Sequence, residues 1–113
     1  ANNPVWLCRN GQLVEYKTDK QPVGIHAVDP HPFSTQKVQL EPGDMVYTIT
    51  DGFADQFGGP DGKKFKYSKM KELIAGISKL SCEAQHNELQ LAFSHWKGGL
   101  EQLDDVLVIG IRI

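Results

Sequence analysis

Apolar and polar residues near the start of the chain fall into two short runs that predict a β-hairpin. Residues 5–9 (Val-Trp-Leu-Cys-Arg) form the first run, and residues 12–17 form the second. Asn10-Gly11 stands between them, and Asn-Gly is a pair that two-residue hairpin turns favour because both turn positions need a positive φ. The pattern therefore predicts two antiparallel strands joined by a tight turn.

The next part of the chain predicts a loop, a strand, a turn and another strand. Residues 18–32 contain three prolines and a glycine and are predicted to be mostly loop. Residues 33–40 end in an alternation of polar and apolar residues that is typical of a half-buried strand. Glu-Pro-Gly-Asp at residues 41–44 predicts a turn, and the apolar residues 45–50 predict the strand that follows it.

Two helices and a last strand are predicted after a glycine-rich loop at residues 58–62. Ser68 is predicted to cap the first helix and Ser81 the second, and Gly98 is expected to end the second. Apolar residues then recur at helical spacing, as Met70, Leu73, Ile74, Ile77 and Leu80 in the first helix and as Leu89, Ala92, Phe93 and Trp96 in the second. Residues 106–113 are apolar enough to predict a central strand buried on both faces.

The order of these elements is four strands, two helices and one strand, which predicts the α+β class. Hairpin-joined strands form a mainly antiparallel sheet, and the two helices are expected to pack on one of its faces. A parallel α/β fold is excluded because strands and helices do not alternate along the chain. The chain has 113 residues, which suffices for a single domain, residues 1–113, with one core.

Composition and charge narrow the class of partner. The chain is 40% hydrophobic and 23% charged, with a formal net charge of −2, as in an ordinary soluble globular protein. The lysines between residues 63 and 71 are interpreted as a solvated loop and helix face, so no nucleic-acid partner is expected. Apolar runs are strand-sized, which indicates no direct membrane insertion. The chain lacks a signal-peptide pattern and starts abruptly in strand-like sequence, so we expect it to be a piece of a longer protein.

Cysteine and histidine positions offer no metal-binding spacing. Cys8 and Cys82 lie far apart and are interpreted as buried or half-buried free thiols in a reducing compartment, which predicts a cytoplasmic location. Neither Cys-x-x-Cys nor His-x-x-x-His spacing occurs, so zinc is not indicated. The histidines are expected at the surface or at the rim of the site: His26, His31, His86 and His95. The large aromatics are expected to be packing residues: Trp6, Phe53 and Trp96.

Two acidic motifs stand at the ends of apolar runs. Thr50-Asp51-Gly52 ends the first run, and Asp104-Asp105 precedes the second. Carboxylates at the ends of neighbouring buried strands can converge on one point, where they repel each other unless a cation lies between them. Mg²⁺ and Mn²⁺ prefer oxygen ligands of this kind. The motifs together predict part of a metal site, whereas each motif alone is more often a plain turn or a solvated strand start.

Several segments, in matching order along nearly the whole chain, carry a resemblance to a known family. They are Ala1-Asn2-Asn3-Pro4, Pro22-Val23-Gly24, Leu40-Glu41-Pro42-Gly43-Asp44, Thr50-Asp51-Gly52, Phe65, Trp96 and Gln102-Leu103-Asp104-Asp105-Val106. With these residues the chain resembles the C-terminal part of the type 2C metal-dependent serine/threonine phosphatases, in the bacterial branch named after sporulation stage II protein E. The resemblance implies part of an α-β-β-α sandwich.

The resemblance also implies an activity and a set of metal ligands. In that family two Mn²⁺ or Mg²⁺ ions activate a water that attacks phosphoserine or phosphothreonine in line, with no covalent enzyme intermediate. Carried over to this chain, Asp51 and Asp104 are implied to be metal ligands. Asp105 is implied to act beside them, in the layer around the ligands or through a water on the metal, and Asp44 is implied to be structural. The residues that bind the substrate are not specified.

The chain departs from the family pattern in two places. Leu107 stands where relatives often have Thr, which is expected to alter packing more than chemistry. The larger departure is the family's Asp-Gly-x-Gly motif, which carries another essential acid, because residues 51–54 and 61–64 both fail to match it. The chain thus resembles roughly the second half of the phosphatase domain. We predict that the isolated chain has no appreciable turnover.

Partners follow from the resemblance, and an alternative function stays open. The implied substrate is a phosphoprotein of bacterial signalling, namely a phosphorylated anti-sigma-factor antagonist, with sensor or receiver domains upstream. Residues 53–103, between the two acidic motifs, are hypothesised to help select the partner. The alternative is a non-catalytic binding or regulatory module that keeps the phosphatase fold. Half a sandwich exposes strand edges, so a homo-oligomer is also expected.

Overall fold

The computed structural model describes residues 3–17 and 37–113, and within these ranges it contains one main sheet, a small hairpin and two helices. The strands are β1 (Val5–Arg9), β2 (Gln12–Tyr16), β3 (Met45–Ile49), β4 (Phe57–Gly58), β5 (Lys63–Lys64) and β6 (Val108–Arg112). The helices are α1 (Tyr67–Ile77) and α2 (Cys82–Lys97). The predicted α+β class is confirmed.

The main sheet is antiparallel throughout, with the strand order β2-β1-β3-β6. The predicted hairpin between β1 and β2 is confirmed, since Asn10 and Gly11 both adopt positive φ, at 53° and 77°. Because pairing sets Trp6 opposite Tyr47, and Tyr47 opposite Gly110, these residues share one face of the sheet. Both helices pack on this face, as expected.

The core lies between that face and the two helices. Its buried members come from four neighbouring regions: Trp6 and Cys8 in β1, Met45, Tyr47 and Ile49 in β3, Phe53 and Ala54 in the turn after β3, and Met70 and Ile74 in α1. Helix α2 adds a half-buried stripe, Leu89, Ala92, Phe93 and, at its end, Trp96. Burial raises the pKa of the Cys8 thiol, and both cysteines are free thiols, as predicted. The predicted burial is wrong for Cys82, which is exposed at the start of α2.

Three expectations about strands need correction. Residues 37–40 are not in a strand, and Val38 is exposed; the other half of the predicted segment, residues 33–36, lies outside the described residues. The glycine-rich loop is bracketed by the two short strands β4 and β5, which pair with each other. Strand β6 is an edge strand and not a central one, because among the described residues it pairs with β3 alone.

The two helix caps differ in how well the sequence predicted them. Helix α1 begins after Lys66, which takes the cap position with a φ of 78° and no side-chain cap, so Ser68 lies inside the helix and the predicted cap is wrong. Ser81 caps α2 as predicted, since its Oγ accepts a hydrogen bond from the Ala84 amide at 3.2 Å. Gly98 ends α2 with a φ of 53°.

A buried carboxylate fixes the turn that leads into β3. Asp44 is 2% exposed and lies beside the Arg9 guanidinium, with Nη2 2.7 Å from Oδ2 and Nε 3.0 Å from Oδ1. The Glu41 amide donates to the same carboxylate at 2.8 Å. The Arg9 hydrogen bonds, and then the Glu41 amide, hold the pKa of Asp44 below its usual value. Asp44 and its two partners hold the turn at the start of β3, which is the opposite end of that strand from Asp51.

Within the described residues no helix has the length and apolar character needed to cross a membrane. His86 and His95 are exposed on α2, as predicted, while His26 and His31 lie outside the described residues.

Candidate functional site

The first acidic motif forms a tight turn directly after β3. Asp51 is exposed, and its carbonyl accepts a hydrogen bond from the Asp55 amide at 2.9 Å, which closes the turn. Phe53 and Ala54, at 2% and 1% exposure, anchor the turn in the core. The Phe53 ring packs edge-on against Phe93 of α2, with centroids 5.1 Å apart. The backbone beneath Asp51 is therefore fixed while its carboxylate faces solvent.

The second acidic motif lies just before β6. Asp104 and Asp105 are both exposed, and the Asp105 amide donates to Asp104 Oδ1 at 2.7 Å. The Asp104 carbonyl accepts a hydrogen bond from Gln102 at 3.0 Å. The Asp105 amide thus orients the Asp104 carboxylate through Oδ1, while Gln102 holds the backbone.

Thr50 joins the two motifs. Its Oγ1 donates to the Asp105 carbonyl at 3.1 Å and accepts from the Leu107 amide at 3.0 Å. Its own amide donates to the Leu107 carbonyl at 3.0 Å, which continues the β3–β6 pairing beyond the strand ends. The side chain before Asp51 thus holds the backbone after Asp104.

Gly52 allows this close approach. A Cβ placed on Gly52 would lie 2.1 Å from the Asp105 carbonyl oxygen and 2.8 Å from its carbon, far closer than any side chain can sit against backbone. Gly52 is buried, so a larger residue has no outward route at this point. The glycine of the first motif is therefore required because the backbone of the second motif lies directly against it.

Tyr67, the first residue of α1, contacts the first motif. Its hydroxyl donates to Asp51 Oδ1. The ring packs edge-on against Trp6, with centroids 6.1 Å apart. Burial, with the neighbouring Asp51 carboxylate, raises the pKa of Tyr67 above its ordinary value, so the phenol remains a hydrogen-bond donor at neutral pH. No local pattern predicts this contact, which joins residues 16 positions apart.

The adjoining groove does not contain the carboxylates. A cavity of about 430 Å³ lies between α2 and strands β3 and β6, lined in part by Tyr47, Leu89, Phe93 and Val108. Phe53 and Val106 border it, whereas neither Asp51 nor Asp104 is among its lining residues. The acidic motifs lie at the ends of strands β3 and β6, and their carboxylates are exposed to solvent.

The donor set has the right chemistry for a hard divalent cation, but it is only part of a site. Asp51, Asp104 and Asp105 supply carboxylate oxygens on two adjoining turns, and such oxygens are what Mg²⁺ and Mn²⁺ prefer. In residues 3–17 and 37–113, no three acidic, histidine or cysteine side chains gather closely enough to hold a metal ion. Among the described residues, therefore, the chemistry of these oxygens suits such a cation but their arrangement does not form a complete ligand set.

Comparison with known proteins gives one family and one fold. The family model described as "Stage II sporulation protein E (SpoIIE)" matches residues 1–113. No curated protein matches the chain. The SiaA-PP2C domain of Pseudomonas aeruginosa has a similar structure, with a TM-score of 0.90 and 23% identity over 100% of this chain and 44% of that one. The structure of the PP2C phosphatase domain and a regulatory fragment of SpoIIE from Bacillus subtilis matches with a TM-score of 0.74 and 22% identity, over 99% of this chain and 32% of that one. The chain thus spans less than half the length of either solved chain, and its fold is that of their PP2C domains.

Proposed function

The chain belongs to the stage II sporulation protein E family, and from that premise we propose that it supplies the C-terminal part of a metal-dependent serine/threonine phosphoprotein phosphatase. The observation that carries the proposal is the contact between the two acidic motifs. The Asp105 carbonyl lies against Gly52, and Thr50 bonds to it at 3.1 Å. A turn that served only to reverse the chain would not need two acidic segments held this closely.

Asp51 and Asp104 would hold the cation, and Asp105 would act beside them. Mn²⁺ or Mg²⁺, when bound, supplies Lewis acidity that activates water and neutralises charge on a phosphoryl group. The chain's own contribution is positional. Thr50 and Gly52 fix the separation of the two turns, and the Asp105 amide orients the Asp104 carboxylate. The complete domain would hold two ions, with the other ligands coming from outside the described residues.

The substrate and partners are part of the same proposal. Exposed carboxylates outside the groove suit a phosphorylated side chain presented by another protein better than a small metabolite, which enzymes usually enclose in a pocket. We place the phosphoprotein in bacterial signalling, as a phosphorylated anti-sigma-factor antagonist, with sensor or receiver domains upstream in a cytoplasmic parent protein. Residues 53–103 carry both helices and are the proposed partner-selecting segment.

The test is hydrolysis of an aryl phosphate by the complete phosphatase domain that contains this chain. We expect Mn²⁺-stimulated phosphate release that a chelator abolishes and Mn²⁺ restores. The isolated chain, assayed beside it, is expected to release no phosphate above background, because it holds an incomplete ligand set. Mn²⁺-stimulated turnover by the isolated chain that Asp51→Asn removes would contradict the second expectation. A well-folded complete domain that stays inert with every metal would favour the non-catalytic binding module.

We also propose that the isolated chain self-associates through β6. Ile109 and Ile111 point away from the helices and are 46% and 55% exposed, on a strand that pairs with β3 alone among the described residues. An apolar edge strand is a template for pairing with a second copy. Sedimentation velocity at micromolar concentrations is expected to show dimers or larger species, and Ile111→Lys should shift them toward monomer. A wild-type chain that sediments as a single monomer would exclude this association.

A further inference from the structure

The backbone at the start of α1 is tied to the turn that carries Asp51. The Lys66 amide donates to the Ala54 carbonyl at 2.8 Å, and the Phe65 amide donates to the Gln56 carbonyl at 3.0 Å. These two bonds join the residues just before Tyr67 to the turn just after Asp51. The distance between Tyr67 and Asp51 is therefore set by the backbone and does not depend on the side-chain contact itself.

The direction of the Tyr67 ring is set by packing. Its edge-on contact with Trp6 has an interplanar angle of 84°, and Trp6 is 1% exposed. The Trp6 indole donates in turn to Glu15 on β2 at 2.9 Å, and Lys71 of α1 lies 3.3 Å from the same carboxylate. A ring packed in this way has little rotational freedom, so its hydroxyl has a fixed position beside the Asp51 carboxylate.

We propose that Tyr67 is a positioning residue for Asp51, whose hydroxyl holds one carboxylate oxygen so that the other is presented to the metal ion. The proposal rests on the proposed role of Asp51 as a metal ligand. Tyr67 does not touch the ion or the substrate. It restricts the carboxylate to one orientation before metal binds, and it does so from the first residue of a helix that is packed in the core.

The hydrogen bond matters because Asp51 is otherwise exposed. A free aspartate on a surface turn samples several side-chain rotamers, and a metal ion must select one of them on binding. Carboxylates that bind metals are commonly held by an outer hydrogen bond, and loss of such a partner typically weakens metal affinity or activity by about 10–100-fold. Packing against Trp6 alone would require the Tyr67 ring but not its hydroxyl.

The decisive variant is Tyr67→Phe in the complete phosphatase domain that contains this chain, because it removes the hydroxyl and keeps the ring. Mn²⁺ affinity, measured by isothermal titration calorimetry, is expected to fall by about 10-fold. The Mn²⁺ concentration for half-maximal aryl phosphate hydrolysis should rise by a similar factor, while kcat at saturating Mn²⁺ should stay within about two-fold, since the same ligands are present once the ion is bound.

The matched control is Tyr47→Phe, which removes the hydroxyl of a buried tyrosine that bonds to Gln85 at 2.5 Å and lies away from the carboxylates. It is expected to lower thermal stability and leave Mn²⁺ affinity unchanged. Unchanged or tighter Mn²⁺ binding by Tyr67→Phe would overturn the positioning role.

The Asp51→Asn variant shows whether a negative result contradicts only the positioning role of Tyr67 or also the proposed role of Asp51 as a metal ligand. If Asp51→Asn weakens Mn²⁺ binding and Tyr67→Phe does not, Asp51 remains a ligand and only the positioning role is wrong. If Asp51→Asn leaves Mn²⁺ binding unchanged, the ligand assignment fails and the positioning role fails with it.

Discussion

Replacing Gly52 by alanine is expected to damage both the fold and the acidic site. The new Cβ would lie 2.1 Å from the Asp105 carbonyl oxygen, a backbone atom that already accepts a hydrogen bond from the Thr50 hydroxyl. Overpacking of this kind commonly costs about 1–3 kcal/mol of unfolding free energy, and backbone contacts lie at the upper end because no side chain can rotate away. The chain can avoid the overlap only by moving the two acidic turns apart.

The variant should lose activity as well as stability. A displacement of about 1 Å at a reacting site can reduce the rate by about 100-fold, because the groups no longer act on the same point. We therefore expect Gly52→Ala in the complete domain to reduce kcat/KM for an aryl phosphate by at least about 100-fold. Mn²⁺ affinity should fall as well. The measurements are urea unfolding of the variant, Mn²⁺ calorimetry and phosphate release.

Gly76→Ala provides the matched control. Gly76 lies inside α1, where an alanine Cβ would meet no atom within 4 Å, and its φ is not positive. Alanine there should stabilise the protein by about 0.5–1 kcal/mol through helix propensity and leave the metal response unchanged. If Gly52→Ala retained wild-type kcat/KM and stability, the close approach of the two motifs would not be required for activity or folding.

The sequence correctly predicted those elements that depend mainly on the residue types within them. The Asn10-Gly11 hairpin and the Ser81 cap were predicted because the residue types there have few alternatives. The Ser68 cap was wrong because a contact with an earlier part of the chain sets the start of the helix. Lys66 adopts a φ of 78° at the cap position, which is rare for a residue with a side chain, and its amide is already taken by the Ala54 carbonyl. A long-range hydrogen bond thus decided where the helix begins.

The prediction for β6 failed for a different reason. A continuous apolar run indicates that a strand is buried but not what buries it. Here Ile109 and Ile111 face away from the helices and remain exposed, and β3 alone pairs with the strand among the described residues. The solved chains are more than twice as long as the part that matches. An apolar run does not say whether the residues that would cover it lie within this chain or outside it.

The proximity of the two acidic motifs was predicted, but the contacts that hold them together were not. Asp51, Asp104 and Asp105 lie near the ends of β3 and β6, where the residue type and the pattern predict metal binding, and that role stays a prediction. Tyr67 and the Thr50 bridge carry no such signal, since a tyrosine at a helix start and a threonine at a strand end are common. Their roles depend on contacts across 16 and 55 positions of sequence. Such contacts require knowledge of the folded chain.

Asp51→Asn and Asp104→Asn are expected to have the largest effect on activity. Each change keeps the shape of the side chain and removes the charge that attracts a divalent cation. Since a catalytic metal supplies several kcal/mol of transition-state stabilisation, loss of one ligand should lower kcat/KM for an aryl phosphate by about 1000-fold. Both side chains are exposed, so unfolding free energy without metal should change little. Asp61→Asn, in the loop between β4 and β5, is the matched acidic control and should retain activity.

The double variant tests whether the two carboxylates serve one site. If Asp51 and Asp104 hold the same metal centre, the first substitution already removes its function, and the second should add little to the loss. Independent roles would instead multiply, giving a loss of about a million-fold if each single change costs about 1000-fold. Phosphate release and Mn²⁺ calorimetry on the complete domain, with both single variants and the double variant, measure the difference. Losses that multiply would show that Asp51 and Asp104 act independently. The contact between their turns through Gly52 and Thr50 would then serve folding and not a shared metal site.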